Sequence, residues 1–320
     1  MTARPARRGL ARSLRRYGWL LPAAALLSYW IINASRSGNR VEGCPEGCVT
    51  ANPRRDGSLR VMSLNMLHGF PRFRHLSERL VIIAGEIERL DADIVCLQEV
   101  PWSPQFGNAA QYLAEQTGLN HAYLRANGNR WAILFEEGEA ILSRYPLREV
   151  AFAELLPRAG LFEHRVVLEA TAVTPWGDVA VFATHLTNGD QEVNRAQADS
   201  LMTFVNSGSH DLAIIAGDFN ATEDSPQIQL ITQRAADTYR VANPQSEGLT
   251  CCVGDLTSSA EKQSEKRIDY LFLLAEHPRE VQVVDCQVIL DHPFQTGDGW
   301  LWASDHAGLF TILSMPNSTH

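Results

Sequence analysis

Leu212, Ala213, Ile214, Ile215 and Ala216 form an apolar run without interruption, the pattern of a strand buried on both faces. The run stops at Gly217-Asp218-Phe219-Asn220, where a period of two sends Asp218 and Asn220 to one side and Phe219 to the other. Residues 93–99 have a similar unbroken core and end at Glu99, while residues 59–65 alternate as a strand ending at Asn65. Residues 164–173 and 178–185 read as a hairpin turned at Pro175-Trp176-Gly177-Asp178, its second strand ending at His185. Further strands are predicted at 121–125, 131–135, 139–143, 148–155, 268–274, 280–288 and 306–313. Leu76, Leu80, Ile83, Ile87 and Leu90 instead recur at helical spacing over 75–90, and helices are also predicted over 108–118 and 190–207. A short helix opens at Asp224-Ser225-Pro226, where a capping residue precedes an early proline.

A different pattern precedes these elements. Arg4, Arg7, Arg8, Arg12, Arg15 and Arg16 lead into an apolar run from Trp19 to Ile32 that only Pro22 and Ser28 interrupt. As a helix the run reaches about 21 Å, and Tyr17, Gly18, Asn33 and Ala34 bring it to the lower limit for a hydrocarbon core of ~30 Å. Basic residues followed by an apolar stretch make a secretory signal or an uncleaved signal-anchor, and the arginine excess puts the N-terminus in the cytoplasm and the body outside. The expected organisation is a basic segment over 1–18, a single membrane helix over 19–34, a polar linker over 35–58, a folded domain over 59–313 and a tail over 314–320. Cleavage after Ala34 would release the protein, but Ile32 makes that a poor cleavage site.

Composition refines this picture. With 45% apolar and 20% charged residues, the 320-residue chain can bury a substantial core. Residues 1–60 carry 11 arginines and 3 acidic groups; residues 61–320 carry 17 basic and 34 acidic groups, a formal −17. A body this acidic repels polyanions at long range, so duplex nucleic acid is not its natural partner. Cys44 and Cys48, and the adjacent Cys251 and Cys252, can supply disulfides within or between the pairs, as in an oxidising compartment. Zinc is the rival reading for Cys44 and Cys48, although no histidine lies nearby in sequence. Cys96 and Cys286 read as buried thiols.

What the strands share is where their polar residues fall. Asn65, Glu99, His185, Asp218, Asn220, Asp269, Asp305 and His306 lie at the ends or edges of apolar strands, so strands sharing sheets can bring them to one mouth. Hard oxygen donors such as Glu99, helped by Asn65 and Asp305, suit a hydrated Mg2+ that keeps open positions for a phosphate oxygen. Two histidines near carboxylates suit charge stabilisation and proton transfer in phosphoester cleavage. No G-x-S-x-G elbow, P-loop or H-E-x-x-H is present.

Seven motifs occur in order: Ser63-Leu64-Asn65, Leu97-Gln98-Glu99, Gly138-Glu139-Ala140-Ile141-Leu142-Ser143-Arg144, Thr184-His185-Leu186, Gly217-Asp218-Phe219-Asn220, Arg267-Ile268-Asp269-Tyr270 and Ser304-Asp305-His306. Together, over residues 59–313, they resemble the endonuclease/exonuclease/phosphatase superfamily. The resemblance implies an α/β (α+β) fold, a four-layer sandwich of two packed, mostly antiparallel sheets flanked by helices, here preceded by the N-terminal membrane segment. It implies a phosphoester hydrolase dependent on Mg2+ or Mn2+, with Glu99 as principal metal ligand and Asn65 and Asp305 next to the metal. Asp218 resembles the residue that orients or deprotonates the attacking water, and Asn220 its partner in holding water and phosphate. His185 and His306 resemble the pair flanking the scissile phosphate, with Asp269 orienting His306. Arg165 is a candidate for neutralising a phosphate oxygen and Glu139 for supporting His185.

The substrate is read from the surroundings. The anchor, the acidic body and the aromatics Phe70, Phe73, Trp102, Phe106, Trp300 and Trp302 favour a lipid or lipid-like phosphodiester, as in sphingomyelinase-like members, cleaved outside the cytoplasm by a monomeric catalytic domain. The alternative is an extracytoplasmic DNA or RNA nuclease, which needs Arg72, Arg74, Arg125 and Arg130 to cluster into a basic groove. A further alternative, an inactive anchored binding protein, requires one of the polar groups to turn away from the mouth.

Overall fold

Strands whose residues are apolar at every position need cover on both faces, and the architecture supplies it. The computed structural model describes residues 17, 19–44, 54, 56–259, 264–275 and 281–315. The chain begins with α1 (Leu20–Asn33), β1 (Glu42–Gly43), β2 (Ser58–Asn65), α2 (Leu76–Leu90), β3 (Ile94–Ser103), β4 (Gly107–Asn108) and α3 (Ala109–Thr117). It continues through β5 (Asn120–Asn129), α4 (Arg130–Ile133), β6 (Phe135–Ser143), β7 (Leu147–Leu155), β8 (Arg165–Thr174), β9 (Gly177–His185), α5 (Gln191–Val205) and β10 (Leu212–Asp218). It closes with α6 (Pro226–Thr232), β11 (Ala236–Asp237), α7 (Thr238–Ala242), β12 (Asp269–Ala275), β13 (Gln282–Ile289), β14 (Phe294–Thr296), β15 (Gly299–Leu301) and β16 (Gly308–Ser314).

One sheet has the order β1-β5-β6-β3-β2-β16-β13, with β4 added on β3; the other runs β11-β12-β10-β9-β8-β7. Each is mixed: β2 and β3 are parallel, as are β9 and β10, among otherwise antiparallel neighbours. Period-two alternation explains the layering. On β10, Ile214 and Ala216 join Val61, Cys96, Leu168 and Val181 between the sheets, while Ala213 and Ile215 face Leu201 and Ile228 of α5 and α6. On the other sheet, Val95 and Leu97 pack onto Leu80, Ile83 and Ile87 of α2. The result is an α/β domain of two mixed sheets flanked by helices.

Strand ends are aligned by register. Asp218 pairs with His185 on the parallel neighbour β9 and with Asp269 on the antiparallel neighbour β12, so three polar residues stand side by side. Across the sandwich Asn65 pairs with Gln98, the residue before Glu99. Glu99 does not end its strand. It sits in a bulge of β3, where pairing with β6 slips between Leu97 and Val100, and its φ of 52° swings the side chain out of the alternation.

Several expectations change. Residues 131–134 are not a strand: the Asn129 side chain accepts from the Trp131 N–H at 3.0 Å and caps the one-turn helix α4, which ends at Leu134 with φ 56°, and only Phe135 is extended, at the start of β6. In place of a membrane-spanning helix over 19–34 stands the 14-residue α1, and no helix among the described residues is long and apolar enough to cross a membrane. Part of the expected linker is structured, because the Arg36 N–H donates to Gly128 O, the Gly38 N–H to Arg125 O, and β1 pairs with β5. These bonds to β5 stop the helix from continuing. Most of the basic segment and residues 316–320 of the tail lie outside the described residues. Cys251 is joined to Cys252, Cys96 and Cys286 are buried free thiols, Cys44 is disulfide-bonded, and Cys48 lies outside the described residues.

At Gly217 strands β9 and β10 leave no room for a side chain, for a Cβ there would lie 1.9 Å from Thr184 O. Gly217→Ala therefore must push two parallel strands apart. We expect a loss of about 1–3 kcal/mol or more in denaturant unfolding; an unchanged midpoint would show that the strands yield without cost.

Candidate active site

The site is built where the two sheets meet. Asn65, 1% exposed, donates from Nδ2 both to Glu99 Oε1 (3.2 Å) and to Asp218 Oδ2 (3.1 Å), while its Oδ1 accepts from the Leu67 N–H (3.1 Å). The amide therefore positions two carboxylates at the mouth. Glu99 Oε2 also accepts from the His68 N–H at 3.1 Å, with the His68 ring at 3.5 Å. Burial opposes ionisation of Glu99, but the His68 ring, the His68 N–H and the Asn65 amide outweigh it and hold the carboxyl below its usual range.

Asp218 and Asn220 both reach His185, with Phe219 in the apolar cluster behind them; β10 ends at Asp218, so the turn and not strand alternation places Asn220. The Asn220 N–H donates to Asp218 Oδ1 at 2.9 Å, in a turn that gives Asn220 a φ of 49°. Burial, then the negative charge of Asp269, push the Asp218 carboxyl up to about 7.

The two histidines differ in charge. Arg165 Nη1 donates to His185 Nδ1 at 3.0 Å, and a guanidinium keeps its protons. The other ring nitrogen, Nε2, lies 3.4 Å from Asp218 Oδ2. Asn220 Nδ2 lies 3.0 Å from that nitrogen and donates to Leu186 O. Burial, followed by the Arg165 charge, drives His185 well below the ordinary imidazole range. His306 is the opposite case. Burial alone would depress it, but Asp269, bonded to Nδ1 at 2.9 Å, and Asp218, 3.8 Å from Nε2, raise it well above that range. A neutral ring and a cation thus flank Asp218.

Two expected roles shift. Arg165 is turned onto His185 and Glu163 (3.1 Å), so its contact with the site is through the histidine. Glu139 is buried beside Glu137 with Oε2 unpartnered, while His185 Nδ1 is already held by Arg165, so Glu139 does not support His185. Among the expected aromatics, Trp302 is buried, Phe73, Trp102 and Phe106 are half-buried, and only Phe70 and Trp300 are exposed.

Arg79 was not among the candidates, yet it closes the site from behind. It is 1% exposed and donates from Nη1 to Met66 O (2.7 Å) and Ala303 O (3.4 Å), and from Nη2 to Leu67 O (3.0 Å). Burial lowers its pKa to about 10, against the opposing pull of Asp305 and Glu99. The signal was an arginine on the apolar face of α2, between Leu76 and Leu80 on one side and Ile83 on the other.

Four carboxylates, Glu99, Asp218, Asp269 and Asp305, converge here, and a hard divalent cation is the natural counter-charge. Asp305 is raised first by burial and further by Glu99, a repulsion such a cation would relieve. Asp218, Asp269 and His306 also offer ligand atoms within 4.8 Å of one another, although Asp269 and His306 are already joined by a hydrogen bond. The donor set fits a divalent metal.

The fold and the site together define a phosphoesterase architecture. The sequence pattern of the Endonuclease/Exonuclease/phosphatase family matches residues 62–306, and the chain belongs to that family. Its members are generally phosphoester hydrolases that use a divalent metal. Solved structures with the same fold include an endonuclease/exonuclease/phosphatase family protein from Bacteroides thetaiotaomicron, 17% identical with a TM-score of 0.65, covering 81% of this chain and 98% of that one. An endonuclease/exonuclease/phosphatase from Beutenbergia cavernae is 24% identical, with a TM-score of 0.61 and coverage of 82% and 72%. A mannosyl-6-phosphatase from Bacteroides thetaiotaomicron is 17% identical, with a TM-score of 0.62 and coverage of 80% and 99%. No curated protein matches the chain.

Arg79→Met leaves three carbonyls without a donor and should cost roughly 2–5 kcal/mol in denaturant unfolding; a change within about 0.5 kcal/mol would contradict the bracing role. Asp218 supplies a second test. Its folded pKa, about 7, lies above the ordinary 3.8, so its contribution to stability is complete below pH 3.8 and is lost as pH rises towards 7. In chelator-treated protein the unfolding free energy should fall across that window, and Asp218→Asn should flatten the fall. Identical slopes in parent and variant would count against it.

Proposed function

We propose that this chain is a divalent-metal-dependent phosphodiesterase, using Mg2+ or Mn2+, that cleaves a lipid or lipid-like headgroup by in-line attack of water on phosphorus. The observation that carries the reading is the setting of Asp218: a buried carboxylate with a pKa near neutrality, held by Asn65 and the Asn220 N–H between an uncharged His185 and a charged His306. Asp218 orients a water and takes its proton as the water oxygen bonds to phosphorus. His306, kept charged by Asp269, faces the anionic phosphoryl oxygens and can protonate the departing oxygen as its bond to phosphorus breaks. His185 lines the other side of Asp218 without adding charge, held neutral by burial and by the Arg165 guanidinium on its Nδ1. Asn220 holds the loop that presents Asp218. Glu99 and Asp305 would hold the metal, with Asn65 fixing the Glu99 carboxylate; the bound cation supplies Lewis-acid stabilisation of charge on the phosphoryl group.

The lipid reading is supported by α1, whose apolar side chains are exposed, and by the acidic body. It places the catalytic domain outside the cytoplasm, tethered by the N-terminal segment or secreted if that segment is cleaved. The nuclease alternative loses ground because Arg125 and Arg130 are neutralised by Glu136 and Glu42. An inactive binding protein is disfavoured because the polar groups converge.

Chelation should abolish hydrolysis, with Mg2+ or Mn2+ restoring it. Asp218→Ala and His306→Ala should each lower kcat about 10²–10⁴-fold while the circular dichroism spectrum stays that of the parent. kcat/KM should fall on the acid side as Asp218 is protonated, because Asp218 works ionised, and Asp218→Asn should remove that limb along with the activity. A panel of sphingomyelin, phosphoinositides, plasmid DNA and RNA, with and without chelator, decides the substrate: cleavage confined to nucleic acid would overturn the lipid reading, and parental rates in either variant would overturn the site assignment.

A further inference from the structure

Helix α1 is exposed all round, with Trp19 64%, Leu21 76% and Ile32 60% accessible, and has no polar stripe. A groove on a protein partner would cover one face of such a helix; a helix apolar on every side is at rest in hydrocarbon. Its foot is not free. Asn129 Nδ2 donates to Asn33 O at 2.8 Å, the Gly128 N–H donates to Ser35 Oγ at 3.1 Å, and Ser35 Oγ donates to Phe162 O at 2.9 Å. The helix therefore rises from a fixed point between the end of β5 and the loop before β8.

The same two segments carry the two most exposed large apolar side chains among the described residues of the body, Trp131 and Leu161, each with a second exposed apolar residue close by in sequence. Trp131 (85%) and Leu134 (60%) project from α4 and its end, and Leu161 (74%) and Phe162 (48%) from the loop. The segments are stitched together by the Asn127 side chain, which donates to His164 O and accepts from the His164 N–H. Each apolar tip also adjoins the site. Leu134 is followed by Phe135, which stacks on exposed Phe70 at 4.2 Å and lies 5.1 Å from the His68 ring beside Glu99. Phe162 is followed by Glu163, which holds Arg165, which holds His185.

We infer, on the basis of the lipid reading above, that Trp131, Leu134, Leu161 and Phe162 form an interfacial rim that seats the mouth of the site against the phospholipid bilayer entered by α1. The helix foot fixes the rim at headgroup depth, where tryptophan and aliphatic side chains bury apolar surface. The arginines that precede α1 in sequence match the anionic lipids of such a membrane. The rim sets how the mouth meets lipid; it takes no part in the chemistry.

The test uses the full chain, vesicles of sphingomyelin and phosphatidylcholine with a minor fraction of phosphatidylglycerol, and bis-p-nitrophenyl phosphate as a soluble diester. Trp131→Ser/Leu161→Ser should hydrolyse the soluble diester at the parental rate and vesicle lipid about tenfold more slowly or less. Quenching of tryptophan fluorescence by brominated phosphatidylcholine, compared between the parent and Trp131→Phe, should show a component that belongs to Trp131. Parental vesicle hydrolysis by the double variant, or identical quenching in Trp131→Phe, would overturn the rim. If the parent cleaves the soluble diester but no lipid while Trp131 is still quenched, the substrate reading fails and the rim stands.

Discussion

One amide holds the two sheets in register at their mouth. Asn65 ends β2 in the first sheet, yet its Nδ2 reaches both the Glu99 carboxylate of its own sheet and the Asp218 carboxylate of the other. Two buried anions brought this close repel unless they share a donor, and an amide supplies two hydrogens at fixed separation. The 304–306 segment ends on the same residue, since Ser304 Oγ donates to Asn65 O at 2.6 Å. Motifs far apart in sequence are thus gathered by one residue, through its side chain and its carbonyl. Arg79 braces the loop behind it by donating to the carbonyls of Met66, Leu67 and Ala303.

That geometry separates two histidines that look equivalent in sequence. What distinguishes them is the partner on Nδ1: a guanidinium for His185 and a carboxylate for His306. A donor there forces a neutral acceptor; an acceptor there favours a cation. The charge asymmetry around Asp218 thereby follows from residues that need never touch a phosphate. Burial, and then the charge of Asp269, lifts Asp218 to about 7, the range that the proposed proton acceptor needs.

Chemistry and substrate choice occupy different layers. The groups at phosphorus come from strand ends locked by sheet register, whereas the features that speak for lipid come from α1, α4 and the loop before β8. The two layers meet at Asn127, Asn129 and Ser35, whose hydrogen bonds tie the foot of the apolar helix to strands lining the site. A family that varies these outer segments can change what it approaches while leaving the attack on phosphorus intact.

The sequence by itself determined the strands and their polar ends, because burial on both faces demands unbroken apolar runs such as Leu212–Ala216. It also determined the helical faces of α2, α3 and α5. Only the tertiary structure decided what each polar group does, since that depends on partners distant in the chain. Asn65 and Arg165 read as groups beside the metal and the phosphate; only the structure shows the Asn65 amide between two carboxylates and Arg165 bonded to His185. Glu99 lies in a bulge that local pattern cannot announce, because a bulge is a property of two strands. Trp131 read as part of a strand; an Asn129 cap and the left-handed Leu134 turned it outward as a helical turn. The identities of the reacting groups are local and legible; their protonation, orientation and supports are long-range, and emerge only when the sheets close on one another.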